Sequence, residues 1–175
     1  MRIRLESAKR IGRKIGLNED KGYAVAIFLA LLIVSATIIS YYAFLAPQAE
    51  SYSTIYVLDA NKKAADYPEV LVANQNSTFN VYVNVVNHMG GPGNQTYQVL
   101  VKITSNLSSF PVDAQPIQTY DLSLRNSDSW QNSVSITQNQ VGSYSVVFEL
   151  WHYNQDTKAY EFTPNYCVLN IQVIS

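Results

Sequence analysis

Four side chains in this sequence are of the types that bind copper: His88, Met89, His152 and Cys167. Blue-copper sites combine two histidines, a cysteine and a weak methionine ligand on a β-sandwich. Such sites place a histidine and a methionine shortly after the cysteine, whereas none of the eight residues after Cys167 is either type. The spacing therefore argues against a copper site. Because Cys167 alternates with apolar residues, we expect it to be a buried core thiol.

Other catalytic and metal-binding residue types are scattered. Gly90 to Gly93 (GGPG) is typical of a turn rather than a phosphate-binding loop, and no nucleophile–histidine–acid motif is present. Five aspartates lie in different predicted loops without calcium-loop spacing, namely Asp59, Asp66, Asp121, Asp128 and Asp156. A metal site assembled from distant loops stays open as an alternative. We otherwise predict no catalytic residue, no metal and no cofactor, and therefore no enzyme and no small-molecule ligand.

Two kinds of surface feature are also visible. Three N-glycosylation sequons begin at Asn76, Asn94 and Asn106, each at a predicted turn or strand end, where a glycan could project. Four aromatic residues could form a face for sugars or a partner, although packing at the edge of the fold is the favoured interpretation; these are Trp130, Trp151, Tyr153 and Tyr160.

The location of the protein is indicated by its charge distribution. Residues 1–22 carry seven basic and three acidic groups, residues 23–46 carry none, and residues 50–175 carry five basic and ten acidic groups. The uncharged stretch is long enough for a transmembrane helix, and the basic flank predicts that the N-terminus is cytoplasmic. An acidic outer segment argues against nucleic-acid binding. We therefore predict a basic segment 1–22, a transmembrane helix 23–46, a linker 47–51 and an extracytoplasmic domain 52–175.

Three fates of the N-terminal segment are open. The helix could remain as an uncleaved signal anchor, or a secretory peptidase could cut near Ala49, where Pro47 is unfavourable. Lys21-Gly22 directly before the apolar helix also resembles the cleavage site of archaeal type IV pilin-like precursors. That resemblance implies cleavage after Gly22 and a helix packed in a filament core. Residues 3–15 form either a basic amphipathic helix on the membrane or a solvated tail.

The outer segment has the two-residue period of β-strands. Strong alternation covers 79–85, 97–104, 144–150 and 167–173, and weaker candidates are 52–58, 69–73, 117–124, 130–137 and 159–163. Seven or eight short strands predict an all-β immunoglobulin-like sandwich. Gly142 and Tyr144 at the start of one strand resemble a tyrosine corner, with an ordinary core tyrosine as the alternative.

The order of features from residue 52 resembles an archaeal membrane-protein family, the domain of unknown function 1616. The resemblance covers residues ~23–175, helix included, and depends on Tyr56-Val57-Leu58, Lys63-Ala64, Tyr67-Pro68, Val85-Val86-Asn87, Tyr97-Gln98-Val99 and Leu150-Trp151. This chain lacks the several upstream membrane helices of many members, and its 90–93 and 105–116 stretches depart from the pattern. The family has no established function, so the resemblance implies topology and fold only.

These observations predict a single-pass membrane protein that presents one sandwich outside the cell. Its expected role is non-enzymatic, as an envelope, scaffold or interaction module with a protein partner in the membrane or envelope, such as a membrane complex. The loops 88–96 and 105–116 are the expected contact sites. A pilin-like filament subunit is the first alternative, and a metal-binding or redox subunit is the second.

Overall fold

The computed structural model describes residues 19–45 and 51–175. The chain divides into two compact units, one up to Ala49 and one from Glu50. The predicted helix or tail at 3–15, most of the basic segment 1–22 and the linker before Ser51 lie outside the described residues, as does the alternative cleavage site at Ala49.

A single long helix, α1, spans Glu19–Ser40 and is followed by a π-helical turn at Tyr41–Leu45. Within the described residues, Gly22–Phe44 is the one segment long and apolar enough to cross a membrane. Within this segment the Thr37 hydroxyl donates to the Ile33 carbonyl, four residues earlier. The extent of the helix therefore agrees closely with the predicted span.

Eight strands follow. They are β1 (Tyr52–Leu58), β2 (Val70–Val72), β3 (Thr78–His88), β4 (Gln95–Thr104), β5 (Pro116–Leu124), β6 (Ser129–Thr137), β7 (Gly142–Asn154) and β8 (Ala159–Ile174). The small sheet has the order β1-β3-β6 and the large sheet the order β2-β8-β7-β4-β5. Neighbouring strands are antiparallel except β2, which runs parallel to β8.

This strand order is that of an immunoglobulin-like sandwich, as the sequence predicts. Such folds place strands A, B and E on one sheet and C, F and G on the other. Here β1, β3 and β6 take the first three places, and β4, β7 and β8 take the others. The core between the sheets consists of the inward rows of the alternating strands, with Val81, Val99 and Phe148 fully buried. Burial of these apolar rows supplies the main driving force for the fold.

One predicted boundary is wrong, because 159–163 and 167–173 are parts of one strand, β8. Pro164 lies between them and cannot donate to the ladder. The β7–β8 register shifts there, so that Glu149 pairs with Tyr166 and Trp151 with Phe162. A β-bulge thus absorbs the proline, and the Thr163 hydroxyl donates to the carbonyl of Leu150.

Candidate functional site

The side chains that suggested a copper site lie in separate places. His88 ends β3 in the small sheet and packs on Tyr52, with ring centroids 4.8 Å apart. His152 is on β7 of the large sheet, with its Nε2 2.9 Å from Oε1 of Gln95. Cys167 is on β8. No three His, Cys, Asp or Glu side chains in residues 19–45 and 51–175 form a group that could hold a metal ion.

Cys167 instead belongs to a set of side chains that seals the outer edge of β1. Three side chains donate to three outward carbonyls of this strand: Asn165 Nδ2 to Ser53 O (2.9 Å), Cys167 Sγ to Ile55 O (3.4 Å) and the Tyr67 hydroxyl to Val57 O (2.7 Å). We call this set the β1 seal. It joins the edge of the small sheet to β8 and to the loop before β2, so three carbonyls that an edge strand normally exposes already accept hydrogen bonds.

Two donors of the β1 seal are held in their neutral forms. Burial raises the pKa of the Cys167 thiol and, likewise, that of the Tyr67 hydroxyl, because burial disfavours the charged form. A neutral thiol is a poor nucleophile and a poor metal ligand. Cys167 is therefore a packed hydrogen-bond donor beside the core, and it is half-buried rather than fully buried as the sequence predicted.

The outer face of the large sheet holds a buried ion pair. Nζ of Lys102 on β4 lies 2.9 Å from Oε2 of Glu149 on β7, and both side chains are almost wholly inaccessible to solvent. Ionised groups are costly to bury unless their partners are complete. The sequence pattern places both residues on the outward rows of their strands, opposite the core, yet both side chains are buried there.

The loop 105–115 covers the ion pair. Its Val112 N–H donates to Glu149 Oε1 (2.5 Å), and the Val112 carbonyl accepts from Lys102 Nζ (2.7 Å). Trp151 Nε1 donates to Glu149 Oε2 (3.1 Å). Phe110 stacks on Tyr166 of β8, with ring centroids 3.6 Å apart. We call this arrangement the clasp, defined by Lys102, Glu149, Trp151 and the loop 105–115.

The charged groups of the clasp, on Lys102 and Glu149, are bonded to each other and to neighbouring protein groups. Both carboxylate oxygens of Glu149 accept hydrogen bonds from protein groups, and the ammonium group of Lys102 donates to two oxygens. An acid–base catalyst needs a group that reaches a substrate proton, whereas these groups are bonded to the loop. The arrangement suits the holding of the loop against the sheet. The middle of this predicted contact loop is thus folded back, and Val112 is buried.

A second buried polar cluster lies beneath the loop 88–96. The side chain of Asn87 accepts from the Tyr97 hydroxyl (2.9 Å) and the Met89 N–H (2.9 Å), and its amide donates to the Leu124 carbonyl (3.0 Å). Asn87 and Tyr97 are both fully buried. The Gly90 N–H donates to Oδ1 of Asn126, which fixes the start of the glycine-rich turn. This predicted contact loop therefore emerges from a rigid base.

The three predicted glycosylation asparagines, Asn76, Asn94 and Asn106, are all exposed. Asn106 follows a local turn in which its N–H donates to Oγ1 of Thr104 (3.1 Å). Exposure is necessary for glycan attachment, and the use of these sequons stays a prediction.

Tyr144 lies near the start of β7, which is the position of a tyrosine corner. Its ring packs beside Gly142, where a Cβ atom would lie 3.3 Å from the ring. Gly142 has φ +153°, a backbone conformation that favours glycine. Within residues 51–175 we find no hydrogen bond from the Tyr144 hydroxyl. The corner therefore lacks its defining bond there, and Tyr144 packs as a partly buried residue against the core.

Each of the four aromatic residues that the sequence suggested as a face for sugars or a partner packs against another aromatic ring. Their ring centroids lie 5.3 to 5.7 Å apart; the pairs are Tyr120–Trp130, Trp151–Phe162 and Tyr153–Tyr160. An open depression of about 540 Å³ lies elsewhere, and both polar and apolar side chains line it, Tyr67, Glu69 and Tyr144 among them. Its residues include Ser105, Ser143, Ser145, Asn170 and Gln172.

The resemblance seen in the sequence can now be tested by comparison. A family model, "Domain of unknown function (DUF1616)", matches residues 46–166. The chain belongs to the DUF1616 family. The match begins after α1, so the helix lies outside it, unlike the wider range expected from the sequence. No curated protein matches the chain.

Several solved structures have similar folds. One is the crystal structure of the CARDB domain of the PF1109 protein of Pyrococcus furiosus in complex with di-metal ions. Its sequence is 18% identical over 71% of this chain and 89% of that one, with a TM-score of 0.46. The solution structure of that domain gives 17% identity over 73% of this chain and 98% of that one, with a TM-score of 0.47. A Listeria innocua β-glucosidase gives 11% identity over 72% of this chain and 16% of that one, with a TM-score of 0.42.

The residues that carried the family resemblance have structural roles in this DUF1616 domain. Tyr67 belongs to the β1 seal, and Asn87 and Tyr97 bond to each other beneath the loop 88–96. Lys63 ends a loop in which the Asp59 carboxylate accepts the Lys63 N–H (2.6 Å). This backbone hydrogen bond lowers the pKa of Asp59. These features position loops and edges, and none of them forms an open reactive centre.

Proposed function

We propose that this DUF1616 protein is a single-pass membrane-anchored module whose sandwich works outside the cytoplasm in a non-enzymatic role. The role is that of an envelope, scaffold or interaction module, serving as an accessory part of a membrane complex. The single observation that carries the proposal is α1, whose side chains from Tyr23 to Phe44 are uncharged and exposed on every side. A helix that is apolar all round needs a hydrocarbon environment.

The charges on either side of the helix support the orientation. Seven cations lie within residues 1–22, whereas residues 50–175 carry ten acidic and five basic groups. Basic residues that flank a membrane span are retained on the cytoplasmic side. We therefore place the sandwich outside, where its three exposed sequons would be accessible to a glycosylation system.

The state of the polar groups supports a non-enzymatic role. The clasp and the Asn87–Tyr97 cluster contain fully buried polar side chains of the sandwich, and both are bonded to loop backbone. Groups used in this way fix the shape of loops. A membrane-anchored domain whose loops are held by buried side chains in this way is suited to presenting a constant surface to another protein.

A pilin-like subunit is the second candidate, and it is favoured by Lys21-Gly22 directly before the apolar helix. Gly22 lies in the first turns of α1, and an added Cβ there would meet nothing within 4 Å. Cleavage after Gly22 would leave Tyr23 as the first residue of an apolar helix suited to filament packing.

The N-terminus and intact mass of the mature protein, purified from its own membrane, separate these candidates. A start at Met1 or Arg2 is the result expected for the anchored module. A start at Tyr23 would replace it with the filament subunit, and a start near Ser51 would indicate a released domain. Excess mass that disappears in Asn76→Gln, Asn94→Gln or Asn106→Gln variants would assign a glycan to that site.

A further inference from the structure

The outer edge of β6 is unlike the sealed edge of β1. Among the strands of residues 51–175, β6 pairs with β3 alone, over nine residues and without a register shift. Its sequence, Ser129–Thr137 (SWQNSVSIT), contains no charged residue and no proline. Proteins usually protect an edge strand with lysine, proline, a bulge or a covering loop. Within β6 none of the first three devices is present.

Two independent observations show which backbone groups face outward. Gln118 of β5 donates through Nε2 to the Ser135 carbonyl (2.8 Å), so Ser135 points away from β3. The β1 seal gives the same result through β3. Because the bonded carbonyls of β1 point away from β3, the registers place the backbone groups of Val81, Val83 and Val85 of β3 toward β6. Alternate residues of a strand share one direction. The outward groups are therefore those of Gln131, Ser133 and Ser135.

The strand is complementary to itself in the antiparallel sense. A two-fold axis through Ser133 would place Gln131 opposite Ser135 and, on the inner face, Trp130 opposite Ile136. The nearest charged residue, Asp128, would face the uncharged Gln138 of the other copy. Like charges across paired strands are destabilising, and none would meet here. The three central residue pairs would exchange about six backbone hydrogen bonds.

We propose that the outward edge of β6 is a homotypic interaction site, at which a second copy of this chain adds its own β6 antiparallel about Ser133. The two small sheets then form one continuous six-stranded sheet. The inference rests on the proposed function, because it names the partner of the interaction module. Gln118 covers this edge only in part, since its amide occupies one lone pair of the Ser135 carbonyl and leaves the other available.

Cysteine cross-linking of the full chain in detergent tests this register. In Ser133→Cys the two cysteines would lie at a hydrogen-bonded pair with Cα atoms about 5.5 Å apart, which is within disulfide range. In Gln131→Cys the two equivalent residues would be about 13 Å apart, too far for a bond. We expect Ser133→Cys to oxidise largely to a disulfide-linked dimer and Gln131→Cys to form no disulfide between copies. A mixture of Gln131→Cys and Ser135→Cys chains should give the heterodimer.

The controls keep this test separate from that of the proposed function. Wild-type protein, whose half-buried Cys167 donates a hydrogen bond to the Ile55 carbonyl, should give no disulfide-linked dimer. A monomeric Ser133→Cys, or equal cross-linking of Ser133→Cys and Gln131→Cys, would overturn the proposal. A cross-link from Ser133→Cys to a different protein would overturn the second copy as occupant. The cross-link reports on β6 and the N-terminal mass reports on cleavage at Gly22 or Ala49, so the two proposals can fail separately.

Discussion

The two edges of the small sheet, β1 and β6, differ in how many of their outward backbone carbonyls accept side-chain hydrogen bonds. On β1, side chains from β8 and from the loop before β2 donate to the outward carbonyls of Ser53, Ile55 and Val57. On β6, the corresponding side-chain bond among the described residues is the one from Gln118 to Ser135. All three of these outward carbonyls of β1 accept a side-chain hydrogen bond, whereas the outward carbonyls of Gln131 and Ser133 on β6 accept none among the described residues. The difference indicates where this domain can make contacts through its backbone.

The sealed edge is supported from behind by the clasp. Asn165 and Cys167 of β8 face β1, while Tyr166 between them stacks on Phe110 of the loop 105–115. Glu149, which holds that loop through Val112, pairs with Tyr166 in the β7–β8 register. One short stretch of β8 therefore connects the β1 seal to the clasp. Damage to either is expected to loosen this side and to leave the β6 edge unchanged.

The largest effect is expected from Glu149→Gln, which leaves the Lys102 charge buried without its partner. We expect a loss of about 3–5 kcal/mol in the free energy of unfolding. Urea unfolding followed by tryptophan fluorescence measures it. The double variant Lys102→Met with Glu149→Leu should lose far less, because no unpaired charge remains. Equal losses in the single and double variants would contradict the account of the clasp.

A smaller loss is expected when one donor of the β1 seal is removed. Tyr67→Phe leaves the Val57 carbonyl without the hydroxyl that donates to it, at a cost of about 1 kcal/mol. Tyr56→Phe is the matched control, because Tyr56 lies next to Val57 on β1 and its side chain is exposed. The same urea titration should separate the two variants, and indistinguishable midpoints would show that the seal adds no stability.

Thiol reactivity compares the two edges directly. We expect Cys167 to react with a maleimide roughly ten-fold more slowly, or slower still, than a cysteine introduced by Ser133→Cys under conditions that keep it monomeric. Because folding raises the pKa of Cys167, its contribution to stability is fully present below the ordinary thiol pKa and is lost as the pH rises. Denaturant should remove the difference in rate. Equal rates in the folded protein would show that the β1 edge is open.

The smallest effect on folding is expected from a charge placed on the open edge. The Ser133 side chain is exposed, so Ser133→Lys should change the free energy of unfolding by no more than about 0.5 kcal/mol. It should nevertheless abolish pairing between copies, since two lysines would meet at the axis. Sedimentation in detergent would detect the loss of the dimer. A dimer that persists in Ser133→Lys would place the interface elsewhere.

Much of the fold follows from local patterns in the sequence. The uncharged stretch predicts the helix, and period-two alternation predicts the strands, because side-chain direction in a strand is a local property. The predicted break between 159–163 and 167–173 was wrong. A bulge and the neighbouring Thr163 hydroxyl allow β8 to continue through Pro164. The number and spacing of the strands predicted the sandwich, whereas the order of the strands within each sheet was not predicted.

The clasp and the two edges could not be predicted in this way. Alternation shows that Lys102 and Glu149 share the face opposite the core, but it does not show what covers that face. The loop 105–115 returns over it through contacts between residues distant in the sequence, such as Val112 and Glu149. The β1 seal likewise joins Ser53 to Asn165, 112 positions apart. Such long-range contacts leave no periodic signal.

Hydrogen–deuterium exchange of the full chain tests the contrast between the two edges most directly. Wild-type protein and Ser133→Lys would be compared in detergent, through peptides that cover Tyr52–Leu58 and Ser129–Thr137. The account predicts that the β6 peptide is more protected in wild-type protein than in Ser133→Lys, while the β1 peptide exchanges equally in both. Equal exchange of the β6 peptide in the two proteins would contradict an open edge that pairs with a second copy.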